Sequence, residues 1–274
     1  MGVLPSRAGA LRLDHDRRPE VDHVDAEARV RVILADLVRD GTTAADLPRR
    51  LVERCGRVLP VSGAGLALMD DTDHPAGLVA ASDGVAVALE DLQFTLGEGP
   101  CVDASRTGRP VLVPDLAAAD PYLGAAGRWP AFTREALAAG AAAVFTFPLR
   151  IGAIRLGVLD LYRERPGGLD EAEVAEALDL ASTATTVLLH AQARRGPDAG
   201  PGRLEPWSLP LAHDRAVVHQ ATGVVSVTAG TGLGEALLLL RARAYTEQRP
   251  LDEVAADVVA GRVRLGPGAA GEAT

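Results

Sequence analysis

Lysine is absent from this sequence, so its 28 basic residues are all arginines, and 37 acidic residues outnumber them to give a net charge of −9. The absence of lysine excludes a phosphate-binding P-loop, because that motif ends in Gly-Lys. The acidic balance argues against a protein that coats nucleic acid or an anionic membrane by bulk charge. The chain has only two cysteines, Cys55 and Cys101, which excludes a disulfide framework and a thiolate-rich zinc site and predicts a reducing compartment.

Long apolar runs are also lacking. The longest uncharged stretch, residues 217–234, includes a histidine, a glutamine and several Thr, Ser and Gly residues, so it is not expected to span a bilayer. The first 27 residues contain four arginines but no apolar segment of the kind that a secretory signal needs. A soluble cytoplasmic protein with no membrane partner is therefore expected.

Residue combinations typical of catalytic or metal sites are missing as well. The six histidines are scattered without metal-ligand spacing, and no Gly-x-Ser-x-Gly sequence occurs. The sequence therefore predicts a protein that is not an enzyme and that holds no metal, and it leaves the cofactor unspecified.

The residues that are present predict a folded chain of two domains. Apolar residues make up 47% of the 274 residues, which is enough to bury a sizeable core. Helical periodicity is followed by strand patterns and then by a long helix, an order that predicts an α+β domain with an antiparallel sheet and helices packed on it. Asp46 and Asp170 are the predicted N-caps of the second and third helices. The predicted helices are 25–39, 47–59 and 171–192, and the predicted strands are 63–69, 77–81, 110–113, 141–151 and 154–162.

A segment rich in proline and glycine, residues 194–210, separates this domain from a purely helical region. Beyond it, residues 211–229, 234–248 and 251–263 have helical patterns, which predicts a small all-α three-helix domain. The predicted organisation is a mobile N-terminal tail (1–24), an α+β domain (25–193), a linker (194–210), a helical domain (211–265) and a C-terminal tail (266–274).

Cys101 follows the sequence Leu-Gly-Glu-Gly-Pro, in which two glycines flank Glu98 and permit a tight backbone turn close to a ligand. One interpretation of Cys101 is a buried small hydrophobic residue after that turn. The other is a redox-sensing or catalytic thiol, which usually has a second cysteine or a positive charge nearby.

Five of the nine aromatic residues lie between positions 129 and 162, namely Trp129, Phe132, Phe145, Phe147 and Tyr162. This concentration is consistent with a ligand pocket roofed by the Trp129 segment. It is equally consistent with an ordinary core, because aromatic residues favour interiors.

Residues 63–192 resemble the GAF domain of actinobacterial regulators. The resemblance rests on the motifs at 92–104 (Leu-Gln-Phe-Thr-Leu-Gly-Glu-Gly-Pro-Cys-Val-Asp-Ala), 108–116, 128–132, 143–150 and 156–163. It implies a sensor for a small molecule or another signal and leaves the ligand unidentified. The candidate ligand-binding residues in these segments are Phe94, Gly97, Glu98, Gly99, Cys101, Trp129, Phe132, Phe145, Phe147, Asp160 and Tyr162.

The C-terminal region resembles the ANTAR domain, a helical RNA-binding module of transcription antitermination regulators. The matching segments are 215–223 (Arg-Ala-Val-Val-His-Gln-Ala-Thr-Gly), 235–237, 240–245 and 251–259. The resemblance implies a homodimer that grips tandem RNA stem-loops and prevents a terminator from forming. The residues carried over as RNA-binding are Arg215, His219, Gln220, Ala221, Thr222, Gly223, Arg241 and Arg243. Thr222 departs from the pattern, because many family members have lysine there.

The charge of the helical region limits how RNA could be bound. Residues 211–265 contain six arginines and six acidic residues, so they are neutral and the acidity lies in the rest of the chain. RNA binding would therefore depend on a few placed arginines and on strong salt dependence. Two alternatives stay open: a signalling protein whose helical domain contacts proteins instead of RNA, and a GAF-type redox enzyme that uses Cys101.

Overall fold

The computed structural model describes residues 20–38, 42–70, 73–118, 124–193 and 212–266. The predicted linker and most of the two predicted tails lie outside the described residues. The first helix begins at Glu20, five residues before the predicted start.

The predicted α+β architecture is confirmed for the region that precedes the linker. Its helices are α1 (Glu20–Leu37), α2 (Leu47–Val58), α3 (Gly84–Leu96), α4 (Pro100–Thr107), α5 (Ala125–Arg128), α6 (Pro130–Ala138) and α7 (Glu171–Ala193). Its strands are β1 (Gly63–Met69), β2 (Pro75–Ala81), β3 (Val111–Val113), β4 (Ala143–Ile151) and β5 (Ile154–Arg163).

The five strands form one antiparallel sheet in the order β2-β1-β5-β4-β3. The hairpin of β4 and β5 turns at Gly152, whose φ of 57° is in the left-handed region that glycine adopts without strain. Because β5 pairs with β1 on one side and with β4 on the other, its residues lie at the centre of the sheet.

The two faces of the sheet have different cores because side chains alternate along a strand. Phe145, Phe147, Leu159 and Leu161 lie on the face that packs against α2 and α7. The opposite face packs against α3 and α4, and its core includes Val144 and Tyr162 together with residues of α5 and α6.

One of the two predicted N-caps is present. The Asp170 carboxylate accepts a hydrogen bond from the Glu173 amide at 2.8 Å, and the Glu173 side chain accepts one from the Asp170 amide, so α7 begins with a capping box. Asp46 has helical dihedrals and no capping bond to α2. A single 3₁₀ turn precedes α2, and in it the Asp46 carboxylate accepts hydrogen bonds from the amide and hydroxyl of Thr43.

Helices α3 to α6 were not predicted from the sequence. Three of them, α4 to α6, have at most nine residues, which is too short for helical periodicity to be recognised. Helix α3 nevertheless has a standard start and end. The Asp83 carboxylate accepts a hydrogen bond from the Ala86 amide at 2.9 Å, and Gly97 ends the helix with a φ of 67°.

The C-terminal helices, α8 (Ala212–Ala229), α9 (Leu233–Glu247) and α10 (Leu251–Val259), agree with the three predicted segments. Val225, Leu240 and Val254 contribute one residue from each helix to a shared apolar cluster. This packing keeps α8 helical where it contains a run of β-branched residues, although the intrinsic helix propensity of such residues is low.

Candidate functional site

A polar cluster lies in the interior between α3 and the sheet. It consists of Glu90 and Gln93 on α3, Thr146 on β4 and Asp160 on β5, and each of these side chains is at most 5% exposed. The sheet leaves room for it at Gly65 of β1, where a Cβ would stand 2.5 Å from the Glu90 carboxyl oxygen. Buried polar groups of this kind require mutual hydrogen bonds to remain stable.

Asp160 is the centre of the polar cluster. Its carboxyl group accepts hydrogen bonds from the Thr146 hydroxyl and, at 3.3 Å, from the Gln93 amide. Burial raises the pKa of Asp160, while hydrogen bonds from Glu90, Thr146 and Gln93 partly oppose that rise. Burial, which penalises the charged carboxylate, is therefore the dominant influence on the pKa of Asp160.

Gln93 connects the polar cluster to Cys101. Its side-chain oxygen accepts a hydrogen bond from the Cys101 amide at 2.8 Å, at the start of α4. A Cβ at Gly99 would stand 2.7 Å from the same oxygen, so the absence of a side chain there permits the contact. Cys101 itself is fully buried beside Ala67, Met69 and Val158, as the hydrophobic interpretation expects.

The turn formed by Gly97, Glu98 and Gly99 has a specific structural task. Both glycines have positive φ, and the Glu98 side chain between them points to the start of α6. The Glu98 carboxylate accepts hydrogen bonds from the amides of Ala131 at 2.8 Å and Phe132 at 2.9 Å. A negative charge at a helix N-terminus stabilises unpaired amides, so Glu98 fixes α6 to the end of α3.

The five candidate aromatic residues are not brought together in one pocket. Trp129, Phe132 and Tyr162 belong to the core on the side of the sheet that carries α3 and α6. The rings of Trp129 and Phe132 meet edge to face there, with 6.4 Å between their centroids. Phe145 and Phe147 lie on the opposite face of the sheet. The ordinary-core interpretation therefore describes these residues better than a shared ligand pocket. One surface cleft, of about 620 Å³ beside Pro60, is lined by none of the candidate ligand-binding residues.

The C-terminal helices contact the end of α3 and the start of β2. Arg241 of α9 donates hydrogen bonds from Nε, at 3.1 Å, and from Nη2 to the carbonyl oxygen of Phe94. His219 of α8 donates from Nε2 to the carbonyl oxygen of Ala76 at 2.9 Å. The Phe94 ring lies between them, edge to face with His219 at a centroid distance of 5.9 Å and 6.0 Å from the Arg241 guanidinium.

The residues proposed to bind RNA differ in their exposure. Gln220 and Arg243 are exposed, and a Cβ at Gly223 would meet open space. Ala221 and Thr222 are buried, and the Thr222 hydroxyl donates to the Val218 carbonyl of its own helix. Arg241 and His219 make the contacts just described. The side chain of Arg215 lies outside the described residues.

Asp70 and Cys101 act electrostatically on Arg241. Burial lowers the pKa of Arg241 to about 10, while the charges of Asp70 and Cys101 oppose that decrease. The guanidinium therefore remains protonated at neutral pH.

Sequence reasoning missed Glu90 and Gln93, and Arg241 was assigned only to RNA. Asp83 as an N-cap, followed by Ala86, Leu89 and Gln93 at helical spacing, was the signal that could have identified α3 and its inward face. Within the residues that the structure describes, no group of three or more His, Cys, Asp or Glu side chains is placed to hold a metal ion.

In the described part of the chain, no single helix is long and apolar enough to cross a membrane. The helix pair 216–229 and 233–247 meets the length and composition criteria only when taken together, and its two parts are bent by 107°.

The sequence profile of the GAF domain matches residues 41–189. No curated protein matches the sequence. The chain is similar to the GAF domain of a phosphoenolpyruvate-protein phosphotransferase from Acinetobacter, with 15% identity and a TM-score of 0.45 over 62% of this chain and 96% of that one. A domain of a two-component sensor histidine kinase protein, described as putative, from Sinorhizobium meliloti has 18% identity and a TM-score of 0.40, over 53% of this chain and 90% of that one.

A third similar structure is the free methionine-R-sulfoxide reductase of Neisseria meningitidis, with 15% identity and a TM-score of 0.43 over 63% of this chain and 93% of that one. The expectation that this chain is not an enzyme is corrected by this finding, because similar structures include enzymes. Such a distant likeness is not positive evidence of activity in this chain.

The matched profile spans more than half of the chain, and its residues form the five-stranded antiparallel sheet flanked by helices. A GAF domain suggests a role in sensing signals. On this evidence, the chain belongs to the GAF domain family.

Proposed function

We propose that this protein is a signal-responsive regulator, in which the GAF domain senses a small molecule or another signal and the C-terminal helices bind stem-loop RNA as a dimer. The observation that carries the proposal is the contact between the two regions. Arg241 of α9 binds the last turn of α3, the helix that also supplies Glu90 and Gln93 to the interior of the GAF domain. A change inside the sensor therefore has a direct route to the C-terminal helices.

The RNA-binding part of the proposal is supported by the ANTAR-like order of motifs in residues 215–259. It is also supported by the exposure of two of the candidate RNA-binding residues, Gln220 and Arg243. Arg243 is exposed on α9 and forms an ion pair with Glu247, one turn away on the same helix, at 2.6 Å. An exposed ion pair of this kind contributes little stability, so its arginine is available for a phosphate. By preventing a terminator from forming on a nascent transcript, such a protein would act in antitermination.

The test is a titration of the full-length protein with a tandem stem-loop RNA and with a single stem-loop, at two salt concentrations. Tandem RNA is expected to bind more tightly, because two linked sites engage a dimer. Arg243→Ala should weaken binding by roughly tenfold and reduce the salt slope by about one, as the loss of one phosphate contact does.

The matched control is Arg262→Ala. Arg262 is an exposed arginine of the same region that pairs with Asp257 and is not among the proposed RNA contacts. Its removal should leave RNA affinity unchanged. Equal affinity for the tandem and the single RNA, or no binding of either RNA at low salt, would overturn the proposal.

A second candidate function is a protein-binding role for the C-terminal helices. The observation that favours it is the exposure of large apolar side chains: Val227 is 83% exposed, Leu238 61% and Tyr245 81%. Capture of a protein partner after ribonuclease treatment, lost when Val227 and Tyr245 are replaced by Asp and Ser, would support this candidate over RNA binding.

A further inference from the structure

The contact between the C-terminal helices and the GAF domain includes an arginine that is almost completely enclosed. Arg241 is 8% exposed, and a side chain this buried is uncommon for arginine unless its charge is satisfied. Two of its nitrogens, Nε and Nη2, donate to one carbonyl oxygen, that of Phe94. The guanidinium is therefore held by the GAF domain and not by the helices that carry it.

The position of that carbonyl explains why a cation is stable there. Phe94 lies in the last turn of α3, where carbonyl groups have no partner within the helix and the helix dipole is negative. A guanidinium at this end satisfies the free carbonyl and interacts favourably with the dipole. Asp70 adds a further favourable charge, because its carboxylate opposes the effect of burial on Arg241.

Gly97 makes the approach possible. It ends α3 with a φ of 67°, and a Cβ at this position would stand 2.5 Å from Nη1 of Arg241. The GAF domain thus leaves a gap for the guanidinium at the turn where α3 connects to α4. Phe94 completes the fit from the same side, since its side chain belongs to the apolar cluster that the C-terminal helices form.

This arrangement conflicts with RNA binding by the same residues. Arg241 and His219 are both among the proposed RNA contacts, yet both are bonded to backbone carbonyls of the GAF domain. A guanidinium that donates to Phe94 in an enclosed site is not accessible to a phosphate. The two uses of Arg241 are therefore mutually exclusive.

We propose that Arg241 acts as a latch, which holds the C-terminal helices on the GAF domain in a state that excludes RNA, and that its release at the α3–α4 turn produces the RNA-binding state. The exclusion of RNA rests on the proposed function, whereas the latch itself does not. Signals that shift α3 would release it, because α3 presents Gln93 to the interior and the Phe94 carbonyl to Arg241.

The first experiment measures opening directly, by hydrogen exchange of the full-length protein. Arg241→Ala removes two hydrogen bonds from a charged donor. Exchange in α9 and at residues 97–101 should therefore accelerate about 10- to 100-fold. Peptides of the β4–β5 hairpin should be unchanged and serve as the internal reference. The matched control is Arg243→Ala, an exposed arginine on the same helix, which should not change exchange at residues 97–101.

The second experiment opens the latch from the GAF side and leaves every proposed RNA contact intact. Gly97→Ala introduces the clash with Nη1, so it should accelerate exchange in α9 and also tighten tandem stem-loop binding by a similar factor. Gly230→Ala is the matched control, because Gly230 has a φ of 66° and its Cβ would meet open space. Combined with Arg241→Ala, the Gly97→Ala change should have little additional effect on exchange in α9, since its clash partner is gone and only the local strain of alanine at a positive φ remains.

The outcomes separate the two proposals. Unchanged exchange at residues 97–101 in both Arg241→Ala and Gly97→Ala, in folded protein, would overturn the latch. Accelerated exchange together with tighter RNA binding supports the latch and its RNA-excluding role. Accelerated exchange without RNA binding in any variant supports the latch as a contact between the two regions, overturns its RNA-excluding role and refutes the proposed RNA function.

Discussion

The role of Glu98 can be tested directly. The sequence makes Glu98 a candidate ligand contact, whereas in the structure its carboxylate caps the start of α6. Pro130 occupies the first turn of α6, so the amides of Ala131 and Phe132 are the donors at that helix start that need partners. Both are bonded to Glu98, at 2.8 and 2.9 Å. Replacing an N-cap acceptor by alanine costs about 1 kcal/mol, and the charge adds about 0.3–1 kcal/mol from the helix dipole.

Glu98→Ala removes two such bonds, one of them to the amide of the fully buried Phe132. We therefore expect the free energy of unfolding to fall by about 2 kcal/mol, measured by urea denaturation followed by tryptophan fluorescence. Glu98→Gln keeps an acceptor without the charge and should lose about half as much.

Glu135→Ala is the matched control, since Glu135 lies on the same helix and pairs with Arg134 at the surface. Its effect should stay within about 0.5 kcal/mol. If Glu98→Ala is as stable as Glu135→Ala, then the capping role is refuted and the Glu98 carboxylate is free to serve a ligand.

Three further predictions concern the titratable groups. Burial raises the pKa of Asp160, so the folded protein binds its proton more tightly than the unfolded chain, which releases it near pH 4. The free energy of unfolding therefore falls as the pH rises above about 4. Asp160→Asn, which does not ionise, should gain stability relative to wild type as the pH rises above about 4, and a difference independent of pH would contradict this. Burial raises the pKa of Cys55 to about 12, so alkylation of the native protein at pH 8 should spare Cys55 until denaturant is added, as peptide mass spectrometry would detect. Hydrogen bonds from Arg249, and to a smaller extent from Arg262, lower the pKa of Asp257. The stability they provide is therefore present above about pH 4 and is lost as the pH falls through the depressed pKa. Arg249→Ala should lower the melting temperature at pH 7, and its difference from wild type should shrink as the pH falls below about 4.

The strands and the long helices were predictable because their patterns are strong. The β4–β5 hairpin combines alternating apolar residues with a glycine turn, and α7 begins with a complete capping box at Asp170. Helices α4 to α6 were not predicted, since segments of at most nine residues are too short for helical periodicity to be recognised. Helix α3 was missed although Asp83 and Gly97 mark its start and its end. Asp46 was assigned one turn too late, because the preceding 3₁₀ turn is stabilised by Thr43, whose hydroxyl bonds to the Asp46 carboxylate.

The candidate site was predictable only in part. Side-chain parity in the sheet register separates Phe145, which pairs with Leu161, from Tyr162, which pairs with Val144, so two of the proposed pocket residues had to point to opposite faces. The role of Arg241 lay beyond any local pattern. Its partner, the Phe94 carbonyl, is 147 residues away in the chain, and only the tertiary fold brings the two together.

Helix α3 joins the interior of the GAF domain to the C-terminal helices over a short distance. Glu90 and Gln93 point into the interior, whereas Phe94 meets the C-terminal helices, and four residues of an α-helix span only about 6 Å. A helix this short moves as a rigid rod, so a displacement at one position is not absorbed before it reaches the other. A coupling between the interior of the GAF domain and the C-terminal helices therefore requires no extended relay of side chains, because one turn of α3 joins the two.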